Sequence, residues 1–143
     1  MTHLETSLSA ENAFYRAFER GDLEEMMSVW ALGSDIKCIH PLGTVLSGAP
    51  AIRASWVEIF QAQLPRKVEI ENVNLIQTPD LAIHTVFETI VLPLHRQRFP
   101  PLIATNIYRR IEDSWRMVLH HASPIGITDA APVDHRETVS TRH

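Results

Sequence analysis

Two hydrophobic periods share this chain. Up to residue 65 most apolar residues recur every three or four positions, whereas from Lys67 to Ser123 they alternate. A chain that spends its helices first and then lays down long strands in series folds as α+β, with the helices gathered on one side of a meander.

The helical part has three segments. Ser9 stands where a cap belongs, before Ala10, Ala13, Phe14, Ala17 and Phe18 at helical spacing, and Gly21 ends that stripe. Asp22 with Glu25 reads as a capping box ahead of Leu23, Met26, Met27 and Trp30, and Gly33-Ser34-Asp35 breaks the segment. Pro50 opens a third helix carrying Ile52, Trp56, Ile59 and Phe60, which Pro65 closes. Between the second and third helices, residues 36–40 form a strand ended by Pro41. Its period of two turns Ile36, Cys38 and His40 inward and Lys37 to water. The apolar piece 44–46 follows, flanked by Gly43 and Gly48. The long strands are expected over 68–77, 81–92, 102–112 and 115–123, with hairpin turns at Pro79-Asp80 and Asp113-Ser114. Residues 1–127 make one domain, and 128–143, poor in periodicity, read as a C-terminal tail.

Composition narrows the function. A length of 143 residues suits one domain, and 45% hydrophobic with 21% charged residues is ordinary for a soluble protein. No apolar run approaches a membrane span. The net charge of -4 comes without a basic stripe, so neither nucleic acid nor an anionic membrane is an expected partner. The single Cys38 excludes an internal disulfide, and residues 1–5 lack the basic and apolar regions of a secretory signal, so a cytoplasmic location is expected. Small molecules and other proteins remain as partners. No nucleophile motif such as G-x-S-x-G occurs, whereas the eight histidines offer proton transfer near neutral pH.

An ordered series of short motifs goes further. Ala13-Phe14-Tyr15 through Gly21-Asp22, His40-Pro41-Leu42-Gly43, Gly48 with Ala51-Ile52, Tyr108-Arg109-Arg110, and Trp115 through Pro124 together resemble the NTF2-like superfamily, closest to its SnoaL-like members. The resemblance spans about residues 9–124. It implies the cystatin-like cone, in which three N-terminal helices pack on a strongly curved, mixed, mostly antiparallel sheet, and it implies a homodimer formed through that sheet. The scaffold serves steroid isomerases, polyketide cyclases, epoxide hydrolases, scytalone dehydratase and non-catalytic association domains, so it does not name a reaction.

Compared residue by residue with the ketosteroid isomerases, the oxyanion tyrosine position holds Phe14, the general-base position holds His40 and the protonated-aspartate position holds Asn106. His40 is thereby the first candidate base, the other reading being a core histidine bonded to backbone. If the Asp113-Ser114 turn closes an even-length hairpin, Asn106 stands across from His121. An inward Asn106 then brings His121 inward and sends His120 to the far surface, whereas an odd-length loop reverses this. His40, Asn106 and His121 are the expected catalytic set, and Phe14, Phe18, Trp30, Cys38, Trp56, Phe60 and Tyr108 the expected pocket lining.

The expected function is cofactor-independent isomerase, dehydratase or cyclase chemistry on a small apolar carbonyl or hydroxyl compound. The alternative is a non-catalytic ligand-binding or dimerising domain, which Phe14 favours because it lacks a donor. His84 and Glu88 share a strand face, but zinc takes three or four ligands and no tight spacing motif is present, so the two read as a structural contact or a dimer-surface pair, with no metal. Arg96 and Arg98, near Arg66 and Lys67, read as solvated charges or as an anion contact at the cone mouth.

Overall fold

The computed structural model describes residues 2–126, so the tail at 128–143 lies outside the described residues. The elements run α1 (Ser7–Arg20), α2 (Leu23–Val29), β1 (Lys37–Ile39), β2 (Leu46–Ser47), α3 (Ala49–Phe60), β3 (Lys67–Gln77), β4 (Leu81–Leu92), β5 (Gln97–Arg98), β6 (Leu102–Ile111) and β7 (Ser114–Pro124). The sheet order is β2-β1-β7-β6-β4-β3, with β5 added to β4. All pairings are antiparallel except β1 on β7, which makes the sheet mixed. The α+β class is the one expected from the order of periodicities, and the cone of three helices on a curved sheet is the one the NTF2-like resemblance implies. Among the described residues no helix is long and apolar enough to cross a membrane.

Helix α1 is capped by Thr6, not Ser9. The Thr6 hydroxyl accepts the Ser9 backbone N–H at 3.0 Å, and the helix starts three residues before the apolar stripe. Gly21 ends it with φ 63°, a left-handed conformation that costs glycine little, and donates its N–H to Phe18. Asp22 caps α2 through the Glu25 N–H at 3.0 Å, and Pro50 sits in the first turn of α3, both as the sequence predicts. Phe14, Met26, Val29, Ile52 and Trp56 are buried from the helical layer, and they meet Ala82, Val86, Ala104, Met117 and Ala122 on the concave face.

The register of β6 on β7 departs from expectation. The turn residues are Glu112 and Asp113, both at positive φ (50° and 64°), so Ile111 faces Ser114 and Tyr108 faces Met117. Beyond Tyr108 the partner jumps: Ile107 faces Leu119, leaving Val118 as an extra residue in a β-bulge, and Asn106 therefore faces His120. One inserted residue exchanges the faces of everything beyond it. His120 is buried in the concave face and His121 is exposed, the reverse of the expected placement.

Candidate functional site

Val86, Ala104 and Ala122 stand in one row across β4, β6 and β7, and Ala122 with its short side chain forms part of the floor of the site. A hollow of about 240 Å³ remains, walled by Phe14 and Phe18 from α1, Trp56 and Ile59 from α3, and His40-Pro41 at the end of β1. Pro41, Ile90 and Leu102 also wall an apolar groove of about 630 Å³ that continues outward along Phe99 and Pro124.

Of the neighbouring row His120 reaches the hollow, and so does Glu88 from β4. His84, Asn106 and His120 stand opposite one another across three strands, and Glu88 lies four residues beyond His84 on the same face. The Tyr15 hydroxyl donates to Glu88 Oε2 at 2.5 Å and accepts from Asn106 Nδ2 at 2.8 Å. With its amide nitrogen committed there, Asn106 presents Oδ1 to His120 Nδ1 at 2.6 Å. A carbonyl oxygen only accepts, so Nδ1 of His120 carries the proton. Burial, aided by the neighbouring His40 and His121, pushes the His120 pKa down to about 3, so the ring is neutral at pH 7. Its Nε2 keeps a lone pair, and His120 lines the hollow.

The His40 tautomer follows by the same accounting. Gly43 N–H donates to its carbonyl at 2.8 Å, which fixes the backbone where β1 ends. The Ser55 hydroxyl donates to the Ile52 carbonyl at 2.7 Å, so at 2.9 Å from His40 Nε2 it accepts that ring's proton. Nδ1 of His40 is then the free lone pair. Burial lowers the His40 pKa below the usual imidazole value. The two imidazoles lie 6.4 Å apart between centroids, with Trp56 edge-on to His40 at 4.9 Å.

Glu88 is the carboxyl that lines the hollow. Burial raises its pKa to about 7, with the Tyr15 hydrogen bond working the other way, so a large share of it is a neutral carboxyl at pH 7. The hollow thus holds a carboxylic acid and two neutral imidazole lone pairs in an apolar enclosure, a set suited to moving one proton onto a ligand and another off it.

The structure sorts the candidate residues. His40, Phe14, Phe18 and Trp56 line the hollow. His121 does not, because of the bulge, and His120 takes its place. Asn106 is fully buried with both amide functions committed inside the protein, so it positions His120 and Tyr15 and makes no contact with the cavity. Tyr108 lies beneath the wall, its ring 4.8 Å from His84 and its buried hydroxyl without a partner among the described residues. Cys38 sits behind His40, with Sγ 3.6 Å from Nε2, and burial pushes its thiol up to about 12, leaving it protonated and unreactive. Phe60 packs behind Trp56 at 5.6 Å, and Trp30 belongs to a different part of the sheet, bridging Met117.

His84 and Glu88 do not contact each other as a structural pair. His84 Nδ1 meets Glu11 at 3.0 Å and Nε2 meets Ser7 at 3.0 Å, while Glu88 is held by Tyr15. Arg98 pairs with Glu69 at the surface, and Arg66 lies over the Phe18 and Phe60 rings at 5.2 and 5.5 Å. Sequence reasoning missed Tyr15, Ser55, His120 and the place of Glu88 in the wall of the hollow. One available signal was a carboxylate in phase with His84, Val86 and Ile90 on a strand whose inward face is otherwise mostly apolar. The other was a tyrosine beside Phe14, one position from the expected hydroxyl.

A family model for the SnoaL-like domain matches residues 8–128. A solved structure from Thiobacillus denitrificans, provisionally assigned as a calcium/calmodulin-dependent protein kinase type II association domain, is 40% identical. It superposes with a TM-score of 0.83 and covers 88% of this chain and 100% of that one. A chain from Streptomyces avermitilis, provisionally assigned as a dehydratase of the NTF2-like family, is 31% identical with a TM-score of 0.77, over 87% of this chain and 96% of that one. The F-box protein SKIP8 of Arabidopsis thaliana is 27% identical over 128 residues. The match takes in 90% of this chain and 53% of SKIP8, so this chain spans about half the length of that curated relative.

Proposed function

Because the chain belongs to the SnoaL-like domain family of the NTF2-like superfamily, with its cystatin-like fold, we propose that it binds a small apolar carbonyl or hydroxyl compound and catalyses a cofactor-independent proton shift or dehydration on it. The observation that carries this reading is the pairing, in one apolar hollow, of a carboxyl whose pKa is about 7 with two neutral imidazole lone pairs. His40 Nδ1 removes the proton from carbon. In an isomerisation Glu88 delivers a proton to the carbonyl oxygen as the enol forms and takes it back as His40 returns its proton to a second carbon; in a dehydration Glu88 protonates the departing hydroxyl, which leaves as water, and the proton held by His40 restores the acid. His120 Nε2, too weak a base to hold a proton at pH 7, accepts a hydrogen bond from the ligand hydroxyl and orients it. The dehydratase assignment of the Streptomyces avermitilis relative supports the same class.

The test is imidazole NMR of the full chain titrated with cyclic enones and naphthols. The His40 and His120 ring nitrogens should shift together and saturably, and His121 should not move. Against the best compound of the series, His40→Asn should lower kcat about a hundredfold or more, the usual contribution of a positioned base. Silence of both rings towards every compound would remove the site.

A second reading, association, rests on the outer face of the sheet. Ile83, Ile107 and Leu119 stand in register there, only half covered, with Ile76 exposed beside them. The Thiobacillus denitrificans relative carries an association-domain assignment, which favours a homodimer through this face. Ile107→Glu should then convert a dimer into a monomer in light scattering while leaving the circular dichroism unchanged. A wild type that already runs as a monomer at micromolar concentration would end this reading.

A further inference from the structure

A second polar notch lies at the other end of β6 and β7, by their hairpin, away from the mouth at Leu102 and Pro124. It has a volume of about 340 Å³, and its wall includes Arg116, Trp30 and Ser114. Arg116 is 5% exposed, and among the described residues no carboxylate lies within ion-pair distance of it. Its guanidinium donates to the Thr2 carbonyl at 2.5 Å, and its Nη1 is buried with no partner among the described residues. The Trp30 indole N–H, in a residue 1% exposed, is likewise buried and without a partner among the described residues. Ser114 accepts the Leu4 N–H at 2.9 Å, which leaves its hydroxyl proton uncommitted among the described residues.

A buried cation without a counter-ion is costly, and so is each buried donor without an acceptor. Here a buried cation without a counter-ion and two further free donors belong to residues that wall a single cavity, and what they lack in common is an anionic oxygen acceptor. We propose that this notch is a binding site for a small monocarboxylate. A planar carboxylate can take the guanidinium N–H with one oxygen and the indole N–H or serine hydroxyl with the other. The remaining wall sets the class of acid. Leu32 and Ile111, both exposed, offer an apolar flank for a short alkyl or aryl tail, while Glu112 on the rim disfavours a second negative charge. Butyrate and benzoate therefore fit, and succinate does not.

The experiment is a titration of the full chain with butyrate, benzoate and succinate at constant ionic strength, read on the indole N–H resonances of Trp30, Trp56 and Trp115. The expected result is a saturable downfield shift of Trp30 alone, with the monocarboxylates at least about tenfold tighter than succinate. Arg116→Gln should weaken the response about tenfold or more, and Arg116→Lys, which keeps the charge but not the planar fork, should fall between. Where Arg116→Gln does not fold, Arg116→Lys and the wild-type titration still decide the matter. A Trp30 resonance that does not saturate, one that moves no more than the other two indoles, or an unchanged response in Arg116→Lys would overturn the site.

Discussion

An Asn106→Leu chain should unfold in urea with a free energy about 3 kcal/mol below that of the native sequence, although leucine has a similar volume and lies in a fully buried position. The loss comes from the neighbours. Asn106 donates to Tyr15 at 2.8 Å and accepts from His120 at 2.6 Å. Removing the amide leaves the His120 Nδ1–H without an acceptor and strips one bond from a tyrosine hydroxyl held against Glu88. Each deprived buried group costs about 1 to 3 kcal/mol, and the apolar surface gained by leucine returns only part of that. A measured loss under about 1 kcal/mol would mean that the Glu88–Tyr15–Asn106–His120 chain does not stabilise the fold.

The second large effect is in the pH profile of stability. Glu88 has its pKa raised from 4.5 to about 7, so the folded state holds a proton that the unfolded state releases, and stability falls as pH rises between those values. His120 has its pKa lowered from 6.5 to about 3, so the unfolded state takes up a proton first, and stability falls as pH drops through that interval. Together the two give a rise from about pH 3 to 4.5, a plateau to about 6.5 and a small decline to about 7. Glu88→Gln keeps an acceptor for the Tyr15 hydroxyl and removes only the charge. It should match the native chain near pH 4.5 and exceed it by about 3 kcal/mol above pH 7. Urea titrations of both chains across this range check it. Parallel profiles would show that Glu88 ionises freely in the folded protein, and the acid assigned to the site would be lost with it.

Sequence and structure divide this protein unevenly. Periodicity and punctuation placed the helical segments and the long strands, because an amphipathic stripe and a glycine stop are local properties. The start of α1 was misplaced because the threonine that caps it lies outside the apolar stripe, where Ser9 was the nearer candidate. Within the site, alternation along the strand before Pro41 turned His40 inward, and helical spacing put Phe14, Phe18 and Trp56 on buried faces.

What the chain alone left open was which histidine of the pair 120–121 faces the hollow. Period-two reasoning is only as good as the count of residues from the turn. The bulge at Val118, two residues from the pair, reverses every assignment beyond it. A bulge is stabilised by neighbours on other strands and carries no marker in its own residues here. The same holds for the roles of Asn106 and Glu88. An amide or a carboxyl in phase with a strand's inner face announces burial, but whether it meets a ligand or a tyrosine from a helix some seventy to ninety residues away is decided only when the helices close. Local sequence therefore determined the elements and, up to the bulge in β7, their buried faces, because backbone geometry repeats along the chain. Tertiary structure determined which polar groups touch, because hydrogen-bond partners are chosen by distance in space.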